Sequence, residues 1–304
     1  PHRGAQLSLG KVAEDGCLEC PFHGFRFDGE GRCTRVPPLC DDEQIPSGLH
    51  RRPLALKERH GLLFLWGDDS CPPEGEPPWF SHLEGQWSVT QHVEEWHAHY
   101  SRVMENQLDH VHLPFVHQRT IGRLVKGYER RNLVQEEGGF AGEGPATTAH
   151  PQRQRRLLWR APNLWSMPLS PALVVLIVAV PIDDSRTRIY LRSYQRLVLT
   201  PMLSAFVGWL LMRVHRIILR EDRRIVESQP RGDSLLASEN ALLDFDEPVS
   251  AFRSWRRQRV EERRRRQLTT TPQGTPQISS KGRSNCTVGA KVSVVRAEEL
   301  AEEA

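Results

Sequence analysis

The chain lacks an uninterrupted apolar run long enough to cross a bilayer, which takes ~20 residues. Two uncharged stretches come nearest. From Ala161 to Ile182, Pro162, Pro168, Pro171 and Pro181 leave only Ala172 to Val180 continuously apolar, and the stretch from Leu197 to Met212 is short and broken by Pro201, Ser204 and Gly208. Both read as core, with membrane contact a minor option. There is no internal repeat, no signal-peptide pattern and no excess of one charge. A net charge of +3 with 26% charged residues is too balanced to argue for nucleic acid or a strongly anionic partner. The arginines after Trp255 have no aromatics interleaved with them, so they offer no stacking platform for a nucleic acid. Cysteine is scarce and confined: Cys17, Cys20, Cys33, Cys40 and Cys71 fall in the first quarter, and Cys286 stands alone near the end. With no signal-peptide pattern to point outside the cell, that distribution argues against a disulfide framework and for an intracellular metal or redox role, with a cytoplasmic location expected.

The length of 304 residues allows two domains of ordinary size. In residues 1–78, turn signals (Gly4, Gly10, Asp15-Gly16, Gly24, Asp28-Gly29, Pro37-Pro38) separate short segments, as in a small all-β module. The apolar run Gly61 to Gly67 reads as its closing buried strand, and Asp68 to Pro78, with four prolines, as a linker. Residues 79–266 form the second domain. There, strand patterns around Leu157 to Trp159, from Ala172 to Ile182 and from Arg188 to Leu199 predict an antiparallel sheet, its last two strands joined as a hairpin by Asp-Asp-Ser-Arg-Thr. Helices on either side make the class α+β. Residues 267–304, rich in Thr, Pro, Gln, Ser and Gly from Leu268 to Ser284, read as a flexible tail.

The segment Glu105 to His117 gathers three histidines, two carboxylates and two carboxamides, side chains of the kinds that hold first-row metals. Val93 to Glu105 has helical spacing in Trp96, Tyr100, Val103 and Met104. On a continuing helix Asp109 and His112 share a face, whereas His112 and His117 stand ~140° apart. A break at Pro114 or a π-bulge is therefore needed to bring His117 round. His110 points away from that face. A third ligand is expected on Leu210 to Gln229, a helix with Leu210, Leu211, Val214, Ile217, Ile218 and Ile225 on one arc and five arginines on the other. Glu221 and Asp222 lie within or beside the apolar arc, where burying an unpaired carboxylate is costly and a metal would offset that cost. Asp183, Asp184, Asp244 and Asp246 compete, but in turn-like or polar contexts.

The order Asn106-x-x-Asp109-x-x-His112-x4-His117 is similar to the mononuclear-iron motif of Rieske non-haem iron oxygenases. The N-terminal pieces Pro1-His2-Arg3-Gly4-Ala5 and Cys20-Pro21-Phe22-His23-Gly24 resemble the two loops of a Rieske cluster. Such a [2Fe-2S] cluster takes two cysteines on one iron and two histidines on the other. The resemblance implies that His2, His23 and Cys20 are cluster ligands. The fourth, a cysteine, falls before Pro1, and the expectation is a missing N-terminus; Cys17 sits on the wrong loop to replace it. It implies further that His112 and His117 bind Fe(II), that Asp109 links this iron to the cluster of a neighbouring subunit, and that Asn106 lies near the iron. Glu221 to Gln229 is similar to the third-ligand helix of the vanillate-demethylase-like and pheophorbide-oxygenase-like branch, in which Asp222 takes the ligand position.

The implied architecture is a small Rieske domain followed by a helix-grip (START-like) antiparallel-sheet catalytic domain, with Phe115, Trp159, Trp165 and Met167 as candidate pocket walls. The implied activity is that of a terminal oxygenase. It would use O2 and electrons from NAD(P)H, delivered by a reductase with or without a ferredoxin, to hydroxylate or demethylate an aromatic or other hydrophobic substrate within a homotrimer. Two other readings stay open: a zinc-dependent hydrolase built on His112 and His117, and a non-catalytic Rieske electron carrier. Read alone, Cys17-x-x-Cys20 is a redox or zinc pair.

Overall fold

A computed structural model describes residues 2–40, 43–67, 75–125, 132–144, 156–198, 200–236, 241–269 and 292–295. Cys71, Cys286, linker residues 68–74 and tail residues 270–284 lie outside them. The chain divides into two compact units, Pro1–Pro77 with Ala290–Ala304, and Pro78–Gly289.

The first unit is all-β. Strands β1 (Lys11–Val12), β2 (Leu18–Glu19), β3 (Arg26–Phe27) and β4 (Cys33–Arg35) form an antiparallel sheet in chain order. Each strand is only two or three residues long because a glycine or an Asp-Gly turn interrupts it. Phe25, Phe27, Cys33 and Val36 supply its core, with Leu7, Cys20 and Ile45 packed against them. A hairpin of β5 (Ala55–Arg59) and β6 (Leu62–Trp66) starts a second sheet. Its third strand, Val292–Val295, pairs antiparallel with β6 and corrects the expectation of a tail without structure from 267 onward. Val-Ser-Val-Val is β-branched at three of its four positions, which favours a strand. Cys17, Cys20, Cys33 and Cys40 are all free thiols.

The second unit is built on a seven-stranded antiparallel sheet. Its strands are β7 (Ser88–Trp96), β8 (Asn132–Glu136), β9 (Gly139–Glu143), β10 (Arg156–Arg160), β11 (Leu164–Ser170), β12 (Leu173–Pro181) and β13 (Thr187–Gln195), in the order β7-β13-β12-β11-β10-β9-β8. The β12–β13 hairpin forms where expected, with Leu173 opposite Gln195 and Pro181 opposite Thr187. Pro168 is accommodated in β11 at a shift in register, the position where a strand tolerates a residue without an N–H. On one face Trp159, Val175, Ile177, Ala179, Ile189 and Leu191 pack against helices α1 (Tyr100–Leu108), α3 (Pro201–Val226) and α4 (Glu247–Thr269). Strand β12 is buried along nearly its whole length, which explains why its sequence is a continuous apolar run without alternation. This is a helix-grip arrangement of the α+β class.

The structure corrects two helix expectations. Val93 to Trp96 belongs to β7, and the helix starts only at Tyr100; the three- and four-residue spacing of large side chains runs across a strand-to-helix junction. The long helix α3 also turns a different side inward. Its buried stripe is Ser204, Gly208, Met212, His215, Leu219, Asp222 and Val226, while Leu210, Val214, Ile217 and Ile225 are exposed. The reason lies in β7. A Cβ on Gly208 would come within 2.2 Å of Thr90 Oγ1, and Ser204 Oγ donates to Ser88 Oγ at 2.5 Å, so small and polar residues set the close approach. Among the candidate pocket walls, Trp159 and Trp165 are core, Trp159 in an aromatic cluster with Phe140, Phe252 and Trp255, and Phe115 is exposed.

Candidate metal centre

Helix α1 delivers the metal segment and then stops. Val103, Met104 and Leu108 anchor it in the core, and Glu105 forms a bidentate ion pair with Arg253 of α4, at 2.8 and 2.7 Å. Asp109 leaves the helix with extended backbone (φ −77°, ψ 131°), and its Oδ1 accepts from the Val111 amide at 2.7 Å, turning the chain. A second helix, α2 (Leu113–Val116), is one turn long with Pro114 in its first turn. Pro114 therefore starts a helix rather than breaking one, as suits a residue without a backbone donor. His112 caps the front of that turn and His117 its end. The helix does not continue from Asp109 to His112, contrary to expectation. The interruption lies at Asp109 and His110, and it removes the ~140° conflict between the two histidines.

Asp222, on the inner stripe of α3, meets both rings. Its Oδ1 is 3.3 Å from His112 Nε2 and 3.0 Å from His117 Nε2. Among the described residues these three form the group that could hold a metal ion, each offering one ligand atom, all within 4.8 Å of one another. His117 and Asp222 are buried, at 1% and 7% side-chain exposure. Although both Nε2 atoms face it, Asp222 Oδ1 is buried without a hydrogen bond of good geometry, an arrangement a cation between the three groups would satisfy. Two imidazoles and one carboxylate on one side, with other positions open, fit a non-haem Fe(II).

The far nitrogens of both rings are also engaged. His112 Nδ1 faces Asp109 Oδ2 at 3.5 Å. His117 Nδ1 lies 2.7 Å from Glu221 Oε2, which also accepts from Thr120 Oγ1 at 2.6 Å. A carboxylate at Nδ1 holds the ring proton there and leaves Nε2 free to bind a metal. Without a metal, His112, His117 and Asp222 shift one another. Burial alone would depress His112, but Asp109 and Asp222 outweigh it and raise the ring to about 9. Burial would raise Asp222, yet the two histidines bring it down to about 2. His117 moves up, against its burial, through Asp222 and Glu221.

Asn106 lies on the last turn of α1, its Nδ2 buried without a hydrogen-bond partner, and no contact joins it to the three ligands. His110 stands outside the group. Thr120 is a functional neighbour that sequence reasoning missed, and Glu221, a candidate ligand in the sequence, holds the far nitrogen of His117 instead. An adjacent Glu-Asp pair at the inner edge of α3 was a signal for Glu221; Thr120 carried none.

In the first unit His2, Cys20 and His23 line one small cavity, beside Phe25. The His2 and His23 ring centres are 4.8 Å apart, and His23 Nδ1 is buried without a partner. The Cys20 amide donates to Phe25 O at 2.8 Å and the Gly24 amide to Cys20 O at 3.0 Å, closing a tight loop whose positive φ at Gly24 (+70°) favours glycine. Cys17 is outside the cavity, taking a 3.5 Å bond from Thr34 Oγ1. Two imidazoles and a thiol converging on one cavity fit three of the four places of a [2Fe-2S] cluster.

Comparisons with known proteins cover both parts of the chain. Residues 1–46 match the Rieske [2Fe-2S] domain, and residues 96–262 match the vanillate O-demethylase oxygenase C-terminal domain. The chain belongs to the Rieske non-haem iron oxygenases, in the branch defined by that catalytic domain. It is similar to the chloroplastic protein TIC 55 of Arabidopsis thaliana (36% identity, over 47% of this chain and 27% of the relative). It is also similar to the chloroplastic pheophorbide a oxygenase of Oryza sativa subsp. japonica (34% identity, 47% and 29%). The matched region thus spans less than a third of either relative's length. In fold the chain resembles the solved structure of Pseudomonas putida CBB5 NdmA with caffeine, with a TM-score of 0.71 at 23% identity over 87% of this chain and 78% of that one.

Proposed function

We propose that this chain acts as the terminal oxygenase of a Rieske system, hydroxylating or demethylating an aromatic or other hydrophobic compound. The observation that carries this reading is the convergence of His112 Nε2 and His117 Nε2 on Asp222 Oδ1 at 3.3 and 3.0 Å. Fe(II) held by these three residues would supply the centre at which O2 is activated. The rest of the chemistry belongs to the chain. Glu221 and Asp109 orient the two imidazoles, and burial of His117 and Asp222 keeps bulk water from competing for the ligand atoms. His2, Cys20 and His23 would serve the cluster. Asp109, half-exposed and facing His112 Nδ1, is the residue through which electrons from a neighbouring subunit's cluster would reach the metal ligands. A reductase, with or without a ferredoxin, is the electron donor in this reading, and a homotrimer is the assembly. The names of the related proteins point to ring compounds such as pheophorbide a and caffeine as the substrate class.

The test is metal and sulfide analysis, followed by O2 uptake driven by NADH and a reductase, on the protein with its cluster loops complete. The expected content is about three irons and two sulfides per chain, one cluster plus one iron. Asp222→Ala should lose the single iron while keeping the sulfide, and Asp109→Asn should keep all the iron while substrate-dependent O2 uptake collapses. Zinc in place of iron, with hydrolytic turnover, would establish the hydrolase reading instead. An Asp222→Ala variant with unchanged iron content would sink the assignment of that ligand.

A further inference from the structure

Helix α3 presents an unusual distribution of side chains. Packed against the sheet it buries Ser204, Gly208, His215 and Asp222. Toward solvent it turns Met202 (89% exposed), Phe206 (59%), Trp209 (52%), Leu210 (50%) and Ile217 (50%). The outward face is thus more apolar than much of the inward one, the reverse of a soluble amphipathic helix. Val89 of β7, which lines the same cavity as Trp209, is also exposed. Contiguous apolar surface of this kind marks an interaction site.

The charges on this face have one sign. Arg213, Arg220 and Arg224 are exposed along the helix, and Arg213 lies over the Trp209 ring at 5.1 Å. We infer that the outward face of α3 docks on an anionic lipid surface, with the helix lying flat at the interface. An apolar stripe of Phe, Trp and Leu bordered by arginines is the pattern that inserts to the headgroup boundary. A two-fold contact with a second copy would set the same arginines against one another, whereas anionic headgroups attract them; the head-to-tail contact of a trimer carries no such repulsion and is distinguished by the oligomer measurement below.

At 26 residues α3 is long and apolar enough to span a bilayer, but its inner side is committed to the protein. Ser204 bonds Ser88 and Gln195, Gly208 packs on Thr90, and Asp222 meets His112 and His117. Only the outer side is available to lipid. This inference stands apart from the catalytic reading, since it uses no metal ligand on the outward face.

Co-sedimentation of the full chain with phosphatidylcholine vesicles, with and without phosphatidylglycerol, tests it. Binding is expected to the anionic vesicles and to weaken as salt is raised. Replacing Arg213, Arg220 and Arg224 together by Gln should weaken it roughly hundredfold, about fivefold for each arginine. Phe206→Ser with Trp209→Ser should abolish it, and vesicles with brominated acyl chains should quench wild-type fluorescence more than that of Trp209→Phe. Unchanged circular dichroism and thermal unfolding in each variant separate lost docking from lost folding. A wild-type chain that ignores anionic vesicles overturns the inference. So does binding indifferent to both sets of substitutions. Light scattering that shows Phe206→Ser with Trp209→Ser dissociating an oligomer, whose intact form does not bind vesicles, would assign the face to a contact between copies.

Discussion

Glu221→Ala removes the acceptor that fixes one of the two imidazoles. The carboxylate lies 2.7 Å from His117 Nδ1 and 2.6 Å from Thr120 Oγ1, and His117 is 1% exposed, so water cannot easily take its place. Without that acceptor the ring loses its preferred proton position and one of its two orienting contacts. Loss of such a partner typically lowers metal affinity by about 10- to 100-fold, or about 1.4–2.7 kcal/mol. Glu221→Gln retains an acceptor for both donors and should recover most of the loss. The assay is competition between the protein and a chelator of known Fe(II) affinity, repeated with Co(II) as a spectroscopic reporter of ligand geometry. An alanine variant that binds metal within about twofold of wild type would show that α3 holds His117 by packing alone.

Two further perturbations probe what surrounds the site. Glu105→Ala leaves the guanidinium of Arg253, 6% exposed, without its bidentate partner. Unfolding in urea should show a loss of about 3–5 kcal/mol, and a loss under about 1 kcal/mol would show that other groups compensate. His82, bonded to Ser166 Oγ at 3.0 Å, is held down to about 4 by burial and by Arg160 and Arg156. The unfolded chain therefore binds the proton first, and stability should fall as pH drops from 6.5 toward 4, by about 1–2 kcal/mol after allowance for solvent screening. His82→Gln should flatten that limb of the thermal stability profile; an unchanged slope would place its origin elsewhere.

What could be read in advance depended on how local the cause was. His112 and His117 were legible from residue type and spacing, and the β12–β13 hairpin from an apolar run, a polar turn and a second run. Asp222 was legible through the resemblance of Glu221 to Gln229 to a third-ligand helix; the burial argument pointed to Glu221 and Asp222 alike and rested on an arc that faces solvent. The side of α3 that faces inward was not, because Thr90 and Ser88, far away in sequence, decide it by admitting only glycine and serine. Strand β7 was misassigned for a related reason. Its side chains have helical spacing only when counted together with those of α1, and pairing with β13 settles the matter through tertiary structure. Glu221 had the right neighbour but no partner visible in one dimension.

The single turn of α2 acts as a ruler. His112 and His117 sit at its two ends, and its length sets the span between their ligand atoms. Side chains on its outer surface, such as the exposed Phe115, can vary without touching the metal ligands. Its length cannot: one residue added or removed would turn the second histidine by about 100° and carry it out of reach of Asp222. The segment between the histidines is thus intolerant of insertion or deletion even where, as at Phe115, it tolerates substitution, a distinction that should govern any attempt to redesign this site.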